Sequence, residues 1–400
     1  MPENIKIPEI NIGVFGHVDH GKTSLVYCLT GKRTDVHSEE RKRGITIRLG
    51  YADATFYKCL KCEYPYSATE NCQKCLSKCE PVRTVSFVDA PGHETLMATV
   101  LSGTALIDGA LLLIAANEGI KEQTREHLLA LSVAGIKNII VIQNKIDLVT
   151  EDEAKKNYEQ IKQFVKGTVA EHSPIIPVSA QQNVNIDVVI QAIQDFIPTP
   201  VRNRDVEPKF LIARSFDINK PGAKPKDLKG GVIGGSLIQG VLKKGQEIEI
   251  KPGVFLNGKW QTIKTKIIEI NQSGQEIEEC SPGGLVALRT EIDPYLTKSD
   301  SLAGSIAGLA GTLPNIKEDI QLKFHLLAEI VEKGKESIRL NDSLMITHYV
   351  ARTVGVITSI HKDILTIKLK IPVCAAKDDK IVLSKQIKGV WHLIGWGEAI

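Results

Sequence analysis

The stretch Gly16-His17-Val18-Asp19-His20-Gly21-Lys22-Thr23 leaves its chain little choice of fold. It reads G-x-x-x-x-G-K-T, follows the apolar run Ile10–Phe15, and runs into Ser24–Leu29, whose pattern suits a helix laid on a sheet. Strand, glycine loop and helix in that order let successive backbone N–H groups turn inward around a phosphate, with the helix N-terminus adding its positive end. His20, Gly21, Lys22, Thr23 and Ser24 are then nucleotide-contacting residues. Lys22 reaches for the β- and γ-phosphates, and the Thr23 hydroxyl for Mg²⁺.

From Ile10 to about Ile197 short apolar runs alternate with longer amphipathic segments. Strands are expected at Ile10–Phe15, Thr84–Val88, Ala110–Ile114, Ile139–Gln143 and Ile175–Pro177, with helical patterns between them. Such alternation predicts an α/β domain: a mostly parallel sheet, helices on both faces, and a ligand at the C-terminal strand ends. Two of those ends carry further chemistry. Phe87-Val88 runs into Asp89-Ala90-Pro91-Gly92, where Asp89 is placed to hold Mg²⁺ through water and the Gly92 N–H to meet a γ-phosphate. Ile139–Gln143 ends in Asn144-Lys145-Ile146-Asp147, where Asp147 can accept from both the N1–H and the N2 amino group of guanine. Adenine lacks that donor pair and would leave the carboxylate unmatched. The Lys145 stem can lie along the purine and Asn144 can brace the loop. Next, Ser179-Ala180-Gln181 can present backbone N–H groups to the guanine O6.

Five of the eight cysteines crowd between positions 59 and 79. Cys59-x-x-Cys62 and Cys72-x-x-Cys75, nine residues apart, predict a structural four-thiolate Zn²⁺ knuckle with no ligand position left open. Lys58, Lys61, Lys74 and Lys78 stand where they could offset its charge, and spacing alone leaves open that Cys79 replaces Cys72 or Cys75. The first ten residues lack the apolar core of a signal peptide, and no apolar run approaches the roughly 20 residues of a membrane span. A cytoplasmic, reducing setting is expected, with no membrane partner. The net charge of +3 neither requires nor excludes a polyanionic partner.

Beyond Pro198-Thr199-Pro200 the period changes. Stretches such as Ile263–Ile267 and Gln321–Leu326 alternate apolar and polar residues, and glycine- or proline-containing turns recur at short intervals. Two β-barrel domains are expected, divided near Thr312–Pro314. The predicted limits are 1–200 for the nucleotide domain, with its knuckle at 59–79, then 205–312 and 313–400.

The phosphate loop, Asp89–Gly92, Asn144–Asp147 and Ser179–Ala180 together resemble the translation-factor family of GTPases. The resemblance implies that Arg43-Gly44-Ile45-Thr46-Ile47 is a switch segment in which Thr46 ligates Mg²⁺ only beside a γ-phosphate. It makes Asp19 and the Gly44 carbonyl candidates for a second cation site, and His93 the residue that orients the attacking water. Elongation factor Tu and bacterial initiation factor 2 are similar but lack the cysteine insert. With the insert, Ser38-Glu39-Glu40, Asn117-Glu118 and Gln123–His127, the chain looks like the gamma subunits of archaeal and eukaryotic initiation factor 2, and its short N-terminus favours the archaeal form. What that implies is a protein that carries methionylated initiator tRNA to the small ribosomal subunit, works with alpha and beta subunits, and hydrolyses GTP to GDP on start-site selection. Two other readings compete. One is another tRNA-carrying GTPase, of elongation-factor or selenocysteine-specific type; the latter usually has an extra C-terminal domain for which no room is left after Ile400. The other is the GTPase subunit of a sulfate-activating enzyme, which should lack the knuckle.

Overall fold

The structure, a computed structural model, describes residues 7–34, 49–63, 65–93, 96–220, 222, 224, 228–327 and 338–400. The expected switch segment Arg43–Ile47, with Gly44 and Thr46, lies outside the described residues. The chain divides into two compact units, Met1–Pro200 and Val201–Ile400.

The first unit holds seven strands: β1 (Ile10–Gly16), β2 (Gly50–Lys58), β3 (Tyr66–Ser67), β4 (Glu80–Asp89), β5 (Gly109–Ala115), β6 (Ile139–Asn144) and β7 (Ile175–Pro177). Among the described residues five α-helices accompany them: α1 (Lys22–Thr30), α2 (Met97–Gly103), α3 (Glu122–Ala134), α4 (Glu151–Val165) and α5 (Ile186–Phe196). The sheet order is β3-β2-β4-β1-β5-β6-β7. From β4 to β7 every pairing is parallel, while β2 runs antiparallel to β4 and β3 antiparallel to β2. β1, β5 and β6 are buried along their whole length, as parallel strands covered on both faces must be. Leu111, Leu113, Ile140 and Ile142 join one core with α1 and α5. The alternating residues Leu112, Ile114 and Val141 are equally buried but face the other way, on the side where α2 and α3 pack together.

Register brings the strand ends together. Val14 lies beside Asp89, Gly16 beside Leu113, and Ala115 beside Asn144. The phosphate loop, the aspartate and the asparagine loop therefore leave one edge of one sheet. β2 was not among the expected strands. Its buried face is Ala52, Ala54 and Phe56, and two alanines give a weak apolar alternation.

The second unit contains two closed six-stranded barrels. The first is built from β8 (Lys209–Phe216), β9 (Val232–Gln239), β11 (Glu247–Leu256), β12 (Lys259–Gln272), β15 (Val286–Thr290) and β16 (Ile306–Leu309), and the β11–β12 pairing closes it. Three short strands flank it: β13 (Gln275–Ile277) on β12, and β10 (Leu242–Lys243) paired with β14 (Glu279–Cys280). The other barrel runs through β17 (Lys317–Leu326), β18 (Ser343–His348), β19 (Ala351–His361), β20 (Ile364–Val373), β21 (Lys380–Ile387) and β22 (Val390–Ala399), closing β22 on β17. Each barrel has its own apolar core.

Candidate nucleotide and metal sites

Between β1 and α1 the backbone makes turns that few side chains allow. Gly21 sits at φ 90° as the N-cap of α1, and Asp19 lies in the left-handed region at φ 61°. A side chain on Gly21 would run into the Asn144 amide, and one on Gly92 into the Lys22 ammonium and the Val18 N–H. Gly21 provides no side-chain cap, which leaves the first-turn N–H groups of Lys22, Thr23 and Ser24 for another acceptor. This backbone cradle, with a buried lysine inside it, fits a phosphate group.

Lys22 is 6% exposed, and its Nζ donates to the Gly16 carbonyl at 2.9 Å and the His17 carbonyl at 2.8 Å. Burial lowers its pKa to about 8 against the pull of Asp89 and Asp19, so an anion placed beside it would favour its charged form. Asp89 is fully buried, and its Oδ2 accepts from Thr23 Oγ1 at 2.8 Å and from Thr34 Oγ1 at 2.6 Å. Two hydroxyls and a carboxylate form an all-oxygen cluster of the kind that suits Mg²⁺. Thr34 has no sequence signal of its own; only the fold brings it across 55 positions to Asp89.

Asn144 joins two loops. Its amide Nδ2 donates to the His20 carbonyl at 2.9 Å, and its Oδ1 accepts the Ala180 N–H at 3.1 Å. Lys145 takes the left-handed conformation at φ 63° and its Nζ reaches Glu118 Oε1 at 3.3 Å. Ile146 is half-buried and donates its N–H to the Val178 carbonyl. Asp147 is exposed in the short 3-10 turn that follows. Ser179 is buried, and its Oγ accepts the Gln182 N–H at 3.2 Å; Gln181 is exposed beside it. The sequence-predicted residues on the phosphate, aspartate, asparagine and serine loops thus gather at one end of the sheet. His93 follows Gly92 there, half-buried, with its carbonyl accepting the Leu96 N–H.

Two histidines brace this end from beneath. His127, on α3, accepts the Gly16 N–H on Nδ1 at 3.0 Å, and burial lowers its pKa to about 3. His20 has its Nδ1 3.2 Å from the Leu113 carbonyl, and burial lowers its pKa to about 4. Both rings are therefore neutral at physiological pH. His127 stands in Gln123–His127, a run that marks the family resemblance but gives no hint of a partner 111 residues away.

The cysteine insert lies between β2 and β4. Cys59, Cys62, Cys72 and Cys75 bring all four sulfurs within 4.8 Å of one another. Cys59 Sγ is 3.5 Å from Cys75 Sγ, and Cys62 Sγ is 3.7 Å from Cys72 Sγ. A tetrahedron with Zn–S bonds of about 2.3 Å has edges of about 3.8 Å, so the set fits zinc, and these separations are far too long for disulfides. The Lys61 N–H points at Cys59 Sγ from 3.5 Å, the sort of contact that steadies a thiolate. Cys79 is buried against Cys59 and Cys72 but is not one of the four clustered sulfurs. Lys74 pairs with Asp187 of α5 at 2.6 Å and also feels the charge of Cys62 and Cys72, as expected of a lysine beside the thiolates.

Comparison with known proteins bears on this geometry. Residues 8–199 match the elongation factor Tu GTP-binding domain, and residues 318–399 match the C-terminal domain of initiation factor eIF2 gamma. Over 401 residues the chain is 54% identical to translation initiation factor 2 subunit gamma of Methanocaldococcus jannaschii, spanning 98% of this chain and 97% of the relative. The chain belongs to the family of translation initiation factor 2 gamma subunits. Gamma subunits from Methanothermobacter thermautotrophicus (53%) and Pyrococcus horikoshii (51%) match over nearly the same extent, with 97% of this chain covered in both. As a gamma-subunit relative it is a translation GTPase, in which the nucleotide is a guanine nucleotide. Among solved structures, a bacterial selenocysteine-specific elongation factor superposes with TM-score 0.75 at 24% identity, covering 99% of this chain and 58% of that one. The elongation factor SelB of Methanococcus maripaludis, in complex with a GTP analogue, gives TM-score 0.74 at 22% identity, covering 99% of this chain and 80% of its own. At that identity the likeness is one of fold: a GTPase domain followed by two barrels. Among the described residues no helix is long and apolar enough to cross a membrane.

Proposed function

We propose that this gamma-family chain carries methionylated initiator tRNA to the small ribosomal subunit in a GTP-dependent manner, and hydrolyses GTP to GDP and phosphate when a start site is selected. The observation that supports this most is the Asn144 amide, which ties the phosphate loop to the Ala180 loop beside Lys145 and Asp147. It brings the base-reading and phosphate-holding loops together in a chain 54% identical to initiation-factor gamma subunits.

In this reading His20 to Ser24 cradle the phosphates and Gly92 meets the γ-phosphate. Asn144, Lys145, Ile146 and Asp147, with Ser179, Ala180 and Gln181, hold guanine. Thr23, Thr46 and Asp89 hold Mg²⁺, which supplies neutralisation of phosphate charge; Asp19 and the Gly44 carbonyl hold a second cation. His93 orients the attacking water. The two switch segments, around Thr46 and Gly92, are held while the γ-phosphate is present and released after hydrolysis, which turns cleavage into a change of tRNA affinity. Cys59, Cys62, Cys72 and Cys75 hold a structural zinc. We place the domain limits at 1–200, 205–312 and 313–400, the setting in the cytoplasm, and the partners as initiator tRNA, the small ribosomal subunit, and the alpha and beta subunits of the same factor.

Filter binding of initiator and elongator tRNA, each with GTP and with GDP, tests the reading. Tighter binding of methionylated initiator tRNA with GTP is expected. Preference for elongator or selenocysteine tRNA, or tRNA affinity indifferent to the nucleotide, would refute it.

A further inference from the structure

One acidic side chain at the strand ends has no part in the assignments above. Glu118 stands just beyond β5, with Oε1 3.3 Å from Lys145 Nζ and Oε2 3.8 Å from Lys121 Nζ. The same Oε2 is 4.0 Å from Nε2 of His20, a ring that is 0% exposed and whose Nε2 makes no hydrogen bond. Glu118 therefore faces the base-reading loop through Lys145 and the phosphate loop through His20. Burial pushes its carboxyl up, but the hydrogen bond from Lys145 and the surrounding cations outweigh this and leave it lowered, so it is ionised at neutral pH.

Lys145 is fixed at both ends. Its backbone is left-handed, at φ 63° and ψ 35°, directly after the buried Asn144, and its ammonium is held on Glu118. A free lysine side chain has about 2 kcal/mol of rotamer entropy to lose when it is ordered. With both ends anchored, most of that loss has been incurred before any ligand arrives, and the four-carbon stem lies along one path. A preset apolar stem beside the base-reading loop binds a purine more tightly than a mobile one, because ordering no longer opposes binding.

We propose that Glu118 is a positioning residue for guanine recognition, holding the Lys145 ammonium so that the lysine stem is preset against the base. This inference rests on the reading of Asn144–Asp147 as the base site. Glu118 touches neither base nor phosphate in it. Its effect on the base is therefore confined to a contact that GDP and GTP share, and is exerted through Lys145, its nearest cation and its hydrogen-bond partner.

Titration calorimetry of the full chain with GDP and with a non-hydrolysable GTP analogue decides the matter. Four proteins are compared: the natural chain, Glu118→Gln, Lys145→Met and the double variant. Glu118→Gln is expected to weaken both nucleotides by the same factor, on the order of fivefold. The double variant should bind as Lys145→Met does, because the two changes remove one shared contact. Losses that multiply in the double variant, unequal losses for the two nucleotides, or wild-type affinity in Glu118→Gln would each overturn the proposal. Asp147→Asn in the same titrations separates the two levels of argument. If it shifts preference from guanosine to xanthosine nucleotides while Glu118→Gln binds normally, the base site stands and Glu118 has no positioning role. If it leaves guanine preference intact, the base-site reading falls and this inference falls with it.

Discussion

Asn144 donates its side-chain amide to the backbone carbonyl of His20, 2.9 Å away across 124 residues of sequence. The same side chain accepts the Ala180 N–H, so one amide links three loops. Asn144 is 2% exposed, and water cannot easily take its place.

Asn144→Ala should therefore cost more than the bonds themselves, because it strands a buried carbonyl and a buried N–H. A loss of about 2–4 kcal/mol is expected, shared between fold stability and GDP affinity. Every α-helix among the described residues lies in the first unit. Helical circular dichroism, which follows the first unit, will report the loss, and an unchanged helical midpoint with unchanged GDP affinity would contradict it.

Replacing Asp147 by asparagine exchanges one acceptor for a donor without changing shape. Affinity for GDP should fall by at least tenfold, about 1.4 kcal/mol, and affinity for xanthosine diphosphate should rise. Competition binding with the two nucleotides measures this. Retained guanine selectivity would remove Asp147 from the base site.

His93→Ala should slow single-turnover GTP hydrolysis by at least 10²-fold, the scale of a lost water-positioning or acid–base group, with GTP affinity changed less than twofold. Quench-flow hydrolysis beside equilibrium binding separates the two effects. An unchanged hydrolysis rate would assign the histidine a purely structural part.

Purified under reducing conditions, the chain should contain one zinc per molecule by elemental analysis. Cys59→Ser should lose it, and Cys79→Ser should not, since Cys79 is outside the four-sulfur cluster. A metal content that follows Cys79 instead would mean that the fifth cysteine is a ligand.

The two buried histidines predict an acid-sensitive first unit. Their folded pKa values, about 4 for His20 and about 3 for His127, lie below the unfolded value of about 6.5. The unfolded chain therefore binds protons that the folded chain refuses. Their contribution is fully present above pH 6.5 or so, and is lost as pH falls toward those folded values. Between about pH 6 and pH 5 each histidine should contribute a slope of about 1.2 kcal/mol per pH unit. His127→Asn, whose Oδ1 can still accept the Gly16 N–H, should remove about half of it. Urea unfolding followed by helical circular dichroism at a series of pH values gives the slope, and an unaltered slope in His127→Asn would contradict the assignment.

Much of this was legible in the sequence because it is written locally. Gly21 announces a left-handed turn, Leu111–Ile114 announces a strand covered on both faces, and the paired C-x-x-C motifs announce four sulfurs. What was not legible depends on distance in sequence. Thr34 on Asp89, His127 on Gly16 and Glu118 on Lys145 are contacts between elements, and none leaves a periodic trace. β2 was missed because Ala52 and Ala54 bury too little surface to mark a face. In the second unit alternation indicated strands, but which strand closes on which is set by pairings such as β11 with β12 and β22 with β17, which no short window contains.

Closure of both barrels decides how other molecules can attach. A sheet recruits a foreign strand only where a run of unpaired backbone groups lies open. Among the described residues, the edge strands of the first sheet are β3 with two residues and β7 with three, and the barrel strands have neighbours on both sides. Strands of two or three residues offer too few rungs for a guest chain, but β3 covers β2 only at Tyr57 and Lys58, so among the described residues the longest stretch of the first sheet with a neighbour on one side alone is Gly50–Phe56 of β2. Strand borrowing, the commonest hazard of a β-rich chain, has that edge as its place to start in this sheet.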